Sequence, residues 1–264
     1  MTRSPTQKRP GRPRATAPGW RHFFWLWLGV GLVAATLVLV SLSAAAETER
    51  GNELIERVPT LAPNERRGAE LYSEYCASCH GRNAEGNART VTPVLAAQIP
   101  MYLIKQLVDM GEGERTEPEM HRAASLKALS TPQAIRDVAT YLSALPRNPT
   151  PELGNGAQLA LGKRYYQGLC AFCHGARGEG NEEHATPALR GQHYSYLLRQ
   201  ARLVSVGHRY SVDPTIAETL RVLPFDHLAA VADYASRLPA DAPEPVSQPI
   251  ANPRDVPARD EDER

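Results

Sequence analysis

The order of apolar and polar residues predicts helices through most of the chain. Apolar residues recur three or four positions apart in segments 65–76, 101–110, 160–170 and 194–204, which is the spacing of an amphipathic helix. A further helix is predicted to begin at 130–132, where Ser, Thr and Pro form a helix-start signal. No segment alternates with a period of two for long enough to predict a strand. The predicted fold class is therefore all-α.

A long apolar segment lies near the N-terminus. Residues 23–46 contain no charged side chain over 24 positions, and at about 1.5 Å per residue a helix of that length crosses a hydrocarbon core of about 30 Å. The basic segment 1–22 carries six Lys or Arg and no acid, which predicts a cytoplasmic N-terminus and an exported remainder. The pattern favours a transmembrane anchor. Ala44 and Ala46 also form an A-x-A cleavage site, so a cleaved signal peptide is the alternative.

Two copies of one unit follow, related by a shift of 94 positions. We expect domains at 62–146 and 156–239, a linker at 147–155, and a Pro-rich, acidic, disordered tail at 240–264. Each unit is small for a purely apolar core, so a bound prosthetic group would supply buried surface. Residues repeated in both copies include Gly68/Gly162, Tyr72/Tyr166, Pro93/Pro187, Gln98/Gln192, Tyr102/Tyr196, Gln106/Gln200 and Arg115/Arg209.

The four cysteines all lie in two C-x-x-C-H motifs, one in each copy. This motif is typical of c-type haem attachment, because two thiols one helical turn apart can both bond to the porphyrin and the histidine can bind the iron. A redox C-x-x-C would need a βαβ context, and a zinc site would not need a histidine after each pair. The assigned ligands are Cys76, Cys79 and His80 for the first haem, and Cys170, Cys173 and His174 for the second.

A methionine is the expected sixth ligand of the first iron. Met101 and Met110 lie on a predicted helix, where core packing is expected. Met120 lies beyond that helix, after Pro118, in what the sequence predicts to be a loop. A thioether there would close the distal face, and Met/His ligation raises the potential of a haem.

The second copy has no equivalent ligand, because no methionine follows Met120. The unbroken shift of 94 places Pro214 opposite Met120, and neither Pro214 nor Ile216 can bind iron. His208 enters the matching loop and is the best candidate, with an open or water-bound iron as the alternative. Of the remaining histidines, His184 is expected near the proximal side, His193 at the surface and His227 at the start of the last helix.

Over residues 62–239 the chain resembles the di-haem cytochromes c of the cytochrome c4 family. The resemblance rests on C-x-x-C-H-G-x-x-[A/G]-x-G, P-x-L, Y-x-x-x-Q after a glutamine, G-x-R and an aromatic residue in the last helix, each present twice; the family's first motif has Gly where the first copy has Ala84. It implies two tandem class I cytochrome c folds. It also implies that Gly68 and Gly162 mark helix crossings against Tyr141 and Tyr234. The carbonyls of the repeated prolines, Pro93 and Pro187, would accept a hydrogen bond from each iron-binding histidine.

The resemblance implies an electron carrier on the periplasmic side of the membrane, with two covalent haems c and redox proteins as partners. Its partners would be a quinol-oxidising complex and a terminal oxidase, and no small-molecule substrate is expected. The near-zero net charge of +1 gives no indication of nucleic-acid binding. The alternatives are a di-haem peroxidase or thiosulfate-oxidising enzyme, and a haem-based ligand sensor.

Overall fold

All regular secondary structure in the described part of the chain is helical. The computed structural model describes residues 49–115, 117–209 and 211–239. Within these ranges there is no strand, and the only β pairing is two isolated bridges, one in each copy. The all-α prediction is therefore confirmed for the described residues.

The predicted anchor at 23–46 and the predicted tail at 240–264 lie outside the described residues. Among the residues that are described, none of the helices combines the length and apolar character needed to cross a membrane. Both copies of the repeat belong to one compact unit that begins at Arg50. We call the copies lobe 1 and lobe 2.

The described residues of lobe 1 form six α-helices, and the main ones begin at residues that cap or favour a helix start. The Asn64 side chain accepts a hydrogen bond from the Arg67 amide at the start of α2, and Thr131 caps α6 in the same way. Proline occupies the first turn of α4, α5 and α6, where its missing N–H costs nothing. The helices are α1 (49–57), α2 (Glu65–Tyr75), α3 (Ala77–His80), α4 (Pro100–Gly111), α5 (Pro118–Ala124) and α6 (Pro132–Ala144).

Lobe 2 repeats this order without a counterpart of α1 among the described residues. The helix predicted over 160–170 is divided, since an α-helix ending at Tyr165 continues as a single π-helical turn to Cys170. The elements are α7 (Leu159–Tyr165), the π turn (Tyr166–Cys170), α8 (Ala171–His174), α9 (Tyr194–Ser205), α10 (Pro214–Val222) and α11 (Phe225–Ser236).

The first and last helices of each lobe cross with their backbones in contact. At Gly68 an added Cβ would overlap the Asp137 carbonyl and lie 2.9 Å from the Tyr141 Cβ. At Gly162 it would meet the Ala230 carbonyl and the Tyr234 Cβ in the same way. The expected glycine crossings are therefore confirmed, because a larger residue would force the helices apart.

The outer faces of the two lobes differ. In lobe 1, α1 covers the C-terminal half of α4: Arg50 pairs with Glu112 at 2.6 Å, and the following Val58 is fully buried in the core. In lobe 2 the corresponding face is an open groove of about 470 Å³, partly lined by Val206 and Phe225. Both of these apolar side chains are exposed. The two lobes therefore share one fold but expose different surfaces.

Candidate functional site

Each C-x-x-C-H motif folds as a single short helix that holds both thiols and the imidazole on one segment. Cys76 is the N-cap of α3, and His80 is its last residue. The following Gly81 has φ +82°, a conformation that glycine adopts without strain, and its carbonyl accepts a 2.6 Å hydrogen bond from the Tyr72 hydroxyl. In lobe 2 the corresponding bond, from Tyr166 to the glycine after the motif, is 2.8 Å. The chain is thus turned away directly after each histidine.

Both motif histidines are oriented by a backbone carbonyl. Nδ1 of His80 lies 3.1 Å from the Pro93 carbonyl oxygen, and Nδ1 of His174 lies 2.9 Å from the Pro187 oxygen. A carbonyl only accepts, so Nδ1 carries the proton in each ring and Nε2 keeps its lone pair for a metal. The contact expected from the resemblance is confirmed in both lobes.

Burial keeps these groups in their neutral forms. It lowers the pKa of His80 and of His174, although the hydrogen bond to the prolyl carbonyl acts in the opposite sense. Burial, assisted by the second thiol of the motif, raises the pKa of Cys76 and of Cys170 to about 11. A neutral imidazole is the form that binds a metal.

The donor set fits haem c. All four cysteines are free thiols. Across 49–115, 117–209 and 211–239, no three His, Cys, Asp or Glu side chains come together to hold a metal ion. The buried Nε atoms of Arg115 and Arg209 have no hydrogen-bond partner. A haem has two carboxylates that could accept from such donors.

Met120 is not in a loop, as its sequence suggested, but in the first turn of the short helix α5. Pro118 is the first residue of this helix rather than a sign of irregular structure. Met120 is half-buried. Of the other two methionines of lobe 1, Met110 is buried and Met101 packs against the core, as expected.

The structure changes the alignment between the segment of lobe 1 that carries Met120 and the corresponding segment of lobe 2. Helices α5 and α10 both begin with proline, at Pro118 and Pro214. Matching the helix starts places Ile216, not Pro214, opposite Met120. His208 lies before α10, just past the end of α9, with its side chain exposed and its amide bonded to the Leu203 carbonyl at 2.8 Å.

The expectation that His193 lies at the surface is wrong. It is 6% exposed. Its Nδ1 accepts from the Glu152 amide at 3.0 Å, and its Nε2 lies 3.0 Å from the Glu85 carbonyl of lobe 1. His193 therefore joins the linker and both lobes.

The repeated glutamines form reciprocal contacts between the lobes. The side chain of Gln98 donates to the Ala188 carbonyl at 3.0 Å and accepts from the Ala188 amide at 2.8 Å. Gln192 makes the same pair of bonds with Val94, both at 2.9 Å. Ala188 is the repeat counterpart of Val94, so the two contacts are related by an approximate twofold axis.

The repeated arginines and tyrosines continue this symmetry. Arg115 donates to the Tyr196 hydroxyl of the other lobe at 2.9 Å and to Gln106 of its own lobe at 2.6 Å. Arg209 donates to the Tyr102 hydroxyl at 3.2 Å and to Gln106 at 3.1 Å. Each G-x-R arginine therefore reaches across the boundary between lobes.

The contact between the lobes also contains an acidic residue, which comes from lobe 1 only. Glu117 accepts two 2.8 Å bonds from Arg199 and one of 3.2 Å from Gln200. Its burial alone would raise its pKa, but these hydrogen bonds and the charges of Arg199 and Arg115 outweigh that effect, so the pKa is lowered. Glu117 is therefore held as a carboxylate at the contact.

The sequence carries a signal for this contact. Gln98, Tyr102 and Arg115 recur at the same shift as the C-x-x-C-H motif, yet they lie far from it in sequence. Repetition outside the cofactor motif indicated a second shared requirement, and the structure identifies it as the contact between the lobes.

Comparison with protein families gives one match in each lobe. The model of the family described as cytochrome c oxidase, cbb3-type, subunit III matches residues 63–142. The model of the cytochrome c family matches residues 159–217.

Similar proteins extend over both lobes. A protein from Stutzerimonas stutzeri (strain A1501) named thiosulfate dehydrogenase electron acceptor is 34% identical over 178 residues, covering 63% of this chain and 80% of that protein. Cytochrome c4 of Pseudomonas aeruginosa is 31% identical over 172 residues, covering 62% of this chain and 83% of that protein. The crystal structure of reduced recombinant cytochrome c4 from Pseudomonas stutzeri superposes with a TM-score of 0.60 at 26% identity. That match covers 67% of this chain and 100% of the other.

Proposed function

Because the chain belongs to the cytochrome c4 family of di-haem electron carriers, we propose that it passes electrons between two redox proteins, one docking on each lobe. The observation that carries this proposal is the pair of matching sites, each with two free thiols and a histidine whose Nδ1 is fixed by a prolyl carbonyl. Bound haem supplies a one-electron redox couple at each site.

We assign the residues of each site as follows. The thiols of each motif form the covalent bonds to haem, and Nε2 of the histidine binds the iron. Met120 supplies the sixth ligand in lobe 1. The thioether ligands are Cys76 and Cys79 in lobe 1 and Cys170 and Cys173 in lobe 2, and the proximal ligands are His80 and His174.

The contact between the lobes would hold the two haems at a fixed separation. Its hydrogen bonds join side chains on one lobe to backbone and side-chain groups on the other, so neither lobe can rotate without breaking several of them. The buried guanidinium groups of Arg115 and Arg209 would also pair with haem carboxylates. A fixed geometry favours transfer, because no reorientation must precede it.

We place the carrier in the periplasm, tethered by 23–46, between a quinol-oxidising complex and a terminal oxidase. The match of lobe 1 to a cbb3 oxidase subunit family supports an oxidase as acceptor. A cleaved signal peptide would give a soluble carrier in the same compartment. N-terminal sequencing of the mature protein tests the tether, because a start at Glu47 would show cleavage.

A second candidate donor is a thiosulfate-oxidising enzyme. The relative from Stutzerimonas stutzeri is named for accepting electrons from thiosulfate dehydrogenase. In this role the present chain would accept electrons and would not oxidise thiosulfate itself.

The test begins with intact mass of the purified full-length protein, which should exceed the polypeptide by two haems. Thiosulfate alone should leave both haems oxidised, whereas thiosulfate with a thiosulfate dehydrogenase should reduce them. The control is a variant with both Cys170→Ser and Cys173→Ser, which should lack the second haem and should therefore exceed the polypeptide mass by one haem only. A single haem in the wild type would overturn the carrier proposal. Turnover of thiosulfate or hydrogen peroxide by the protein alone would instead favour an enzyme.

A further inference from the structure

The helix that carries Met120 in lobe 1 has a counterpart in lobe 2 without a ligand. Both helices begin at proline after an acidic residue, Glu117 before α5 and Asp213 before α10. α5 packs against α4, and α10 packs in the same way against α9. The two helices thus hold equivalent places in their lobes.

The residue in the ligand position of lobe 2 is Ile216. It is the third residue of α10, as Met120 is of α5, and both are half-buried. An isoleucine side chain has no lone pair to offer a metal. No methionine occurs anywhere in lobe 2, so a neighbouring thioether cannot replace it.

His208 is held away from this position. The residue that follows it, Arg209, is fixed by hydrogen bonds to Tyr102 and Gln106 of lobe 1 and to Gln200 of its own lobe. Moving His208 into the place of Ile216 would break these hydrogen bonds of Arg209. The buried Nε of Arg209 already has no hydrogen-bond partner. The exposed position of His208 in the structure is therefore the favoured one.

The other described histidines of lobe 2 are committed or distant. His193 uses both ring nitrogens in the contact between linker and lobes. His227 packs edge-on against Tyr165, with ring centroids 4.7 Å apart. His184 is exposed, and its amide donates to Asn181 shortly after the attachment motif.

We propose that the iron of the second haem keeps its sixth coordination position open, and that this position binds a neutral diatomic ligand in the reduced state. The proposal rests on the proposed function, because it requires haem c in lobe 2. An aliphatic side chain in the distal position supplies no hydrogen-bond donor and disfavours an anion, since an unpaired charge beside it would be desolvated. A neutral ligand meets no such cost.

Carbon monoxide is the probe, applied to the full-length, haem-loaded, reduced protein. The wild type should bind one carbon monoxide per two haems, measured by optical titration. Ile216→Met, a swap of similar volume that cores tolerate, should abolish this binding and raise the potential of the second haem. Met120→Ile should create the same site in lobe 1 and double the stoichiometry.

His208→Ala is the matched control, and it should still bind one carbon monoxide. EPR of the oxidised proteins gives a second readout, since the Ile216→Met change should produce two similar Met/His signals. Two haems by mass with no carbon monoxide uptake in the wild type would overturn this inference while leaving the carrier function standing. Uptake that appears only in His208→Ala would identify His208 as the ligand. Uptake only in Tyr210→Phe would identify Tyr210, which lies outside the described residues.

Discussion

Replacing Gly68 by alanine tests whether the helix crossing in lobe 1 is as close as the structure shows. Gly68 lies within α2, and in a helix without neighbours the change to alanine would stabilise by roughly 0.5–1 kcal/mol. At the crossing, the new Cβ would overlap the backbone carbonyl of Asp137 and lie 2.9 Å from the Cβ of Tyr141. A carbonyl in a helix cannot rotate away, so α2 and α6 must separate.

Overpacking of this kind costs typically about 1–3 kcal/mol. Subtracting the gain in helix propensity leaves a net loss of up to about 2.5 kcal/mol, which in a protein of this size lowers Tm by up to about 10 °C. The sign of the change in Tm is the decisive quantity, because helix propensity alone predicts a rise in Tm.

The assay is thermal unfolding of haem-loaded protein, followed by far-UV circular dichroism and by haem absorbance. Gly168→Ala is the matched control, since a Cβ there would have no atom within 4 Å, and it should leave Tm unchanged or slightly raised. Equal or higher Tm in Gly68→Ala would refute the crossing geometry. A loss in both variants would indicate a general effect of glycine replacement.

Two further predictions concern the contact between the lobes. Gln192→Ala should cost about 1–3 kcal/mol because it leaves the buried amide and carbonyl of Val94 unsatisfied, and calorimetry should then resolve two transitions where the wild type shows one. Because the folded pKa of Glu117 is lowered from 4.5, its stabilising effect is complete above that pH and is lost as pH falls through the folded value. Denaturation midpoints measured between about pH 3 and pH 7 should therefore differ most between wild type and Glu117→Gln at neutral pH, and should converge in acid; a constant difference would contradict the assignment.

The sequence predicted the helices and the orientation of the motif histidines well. Apolar spacing identified α4 and α9, and the resemblance to the cytochrome c4 family implied the prolyl acceptors for His80 and His174. Each of these inferences needed only one lobe. They would hold for either copy alone.

The two errors arose where local pattern was too short or incomplete. Helix α5 has seven residues, too few to show a helical period, and Pro118 gave a loop signal although proline also suits the first helical turn. His193 is polar and begins a helix, which favours the surface in one isolated lobe. It is buried because Glu85 of the other lobe lies against it.

The contact between the lobes explains which residues the two copies share and which they do not need to share. In a twofold contact, equivalent residues of the two lobes make the same bonds to the opposite lobe. Gln98 and Gln192 must therefore both be present for the two pairs of bonds to form. Met120, the proposed distal ligand, is not among the residues that form these bonds. Under the proposed assignment, Met120 can have Ile216 as its counterpart without loosening the lobes, and one symmetrical frame would then hold two haems of different chemistry.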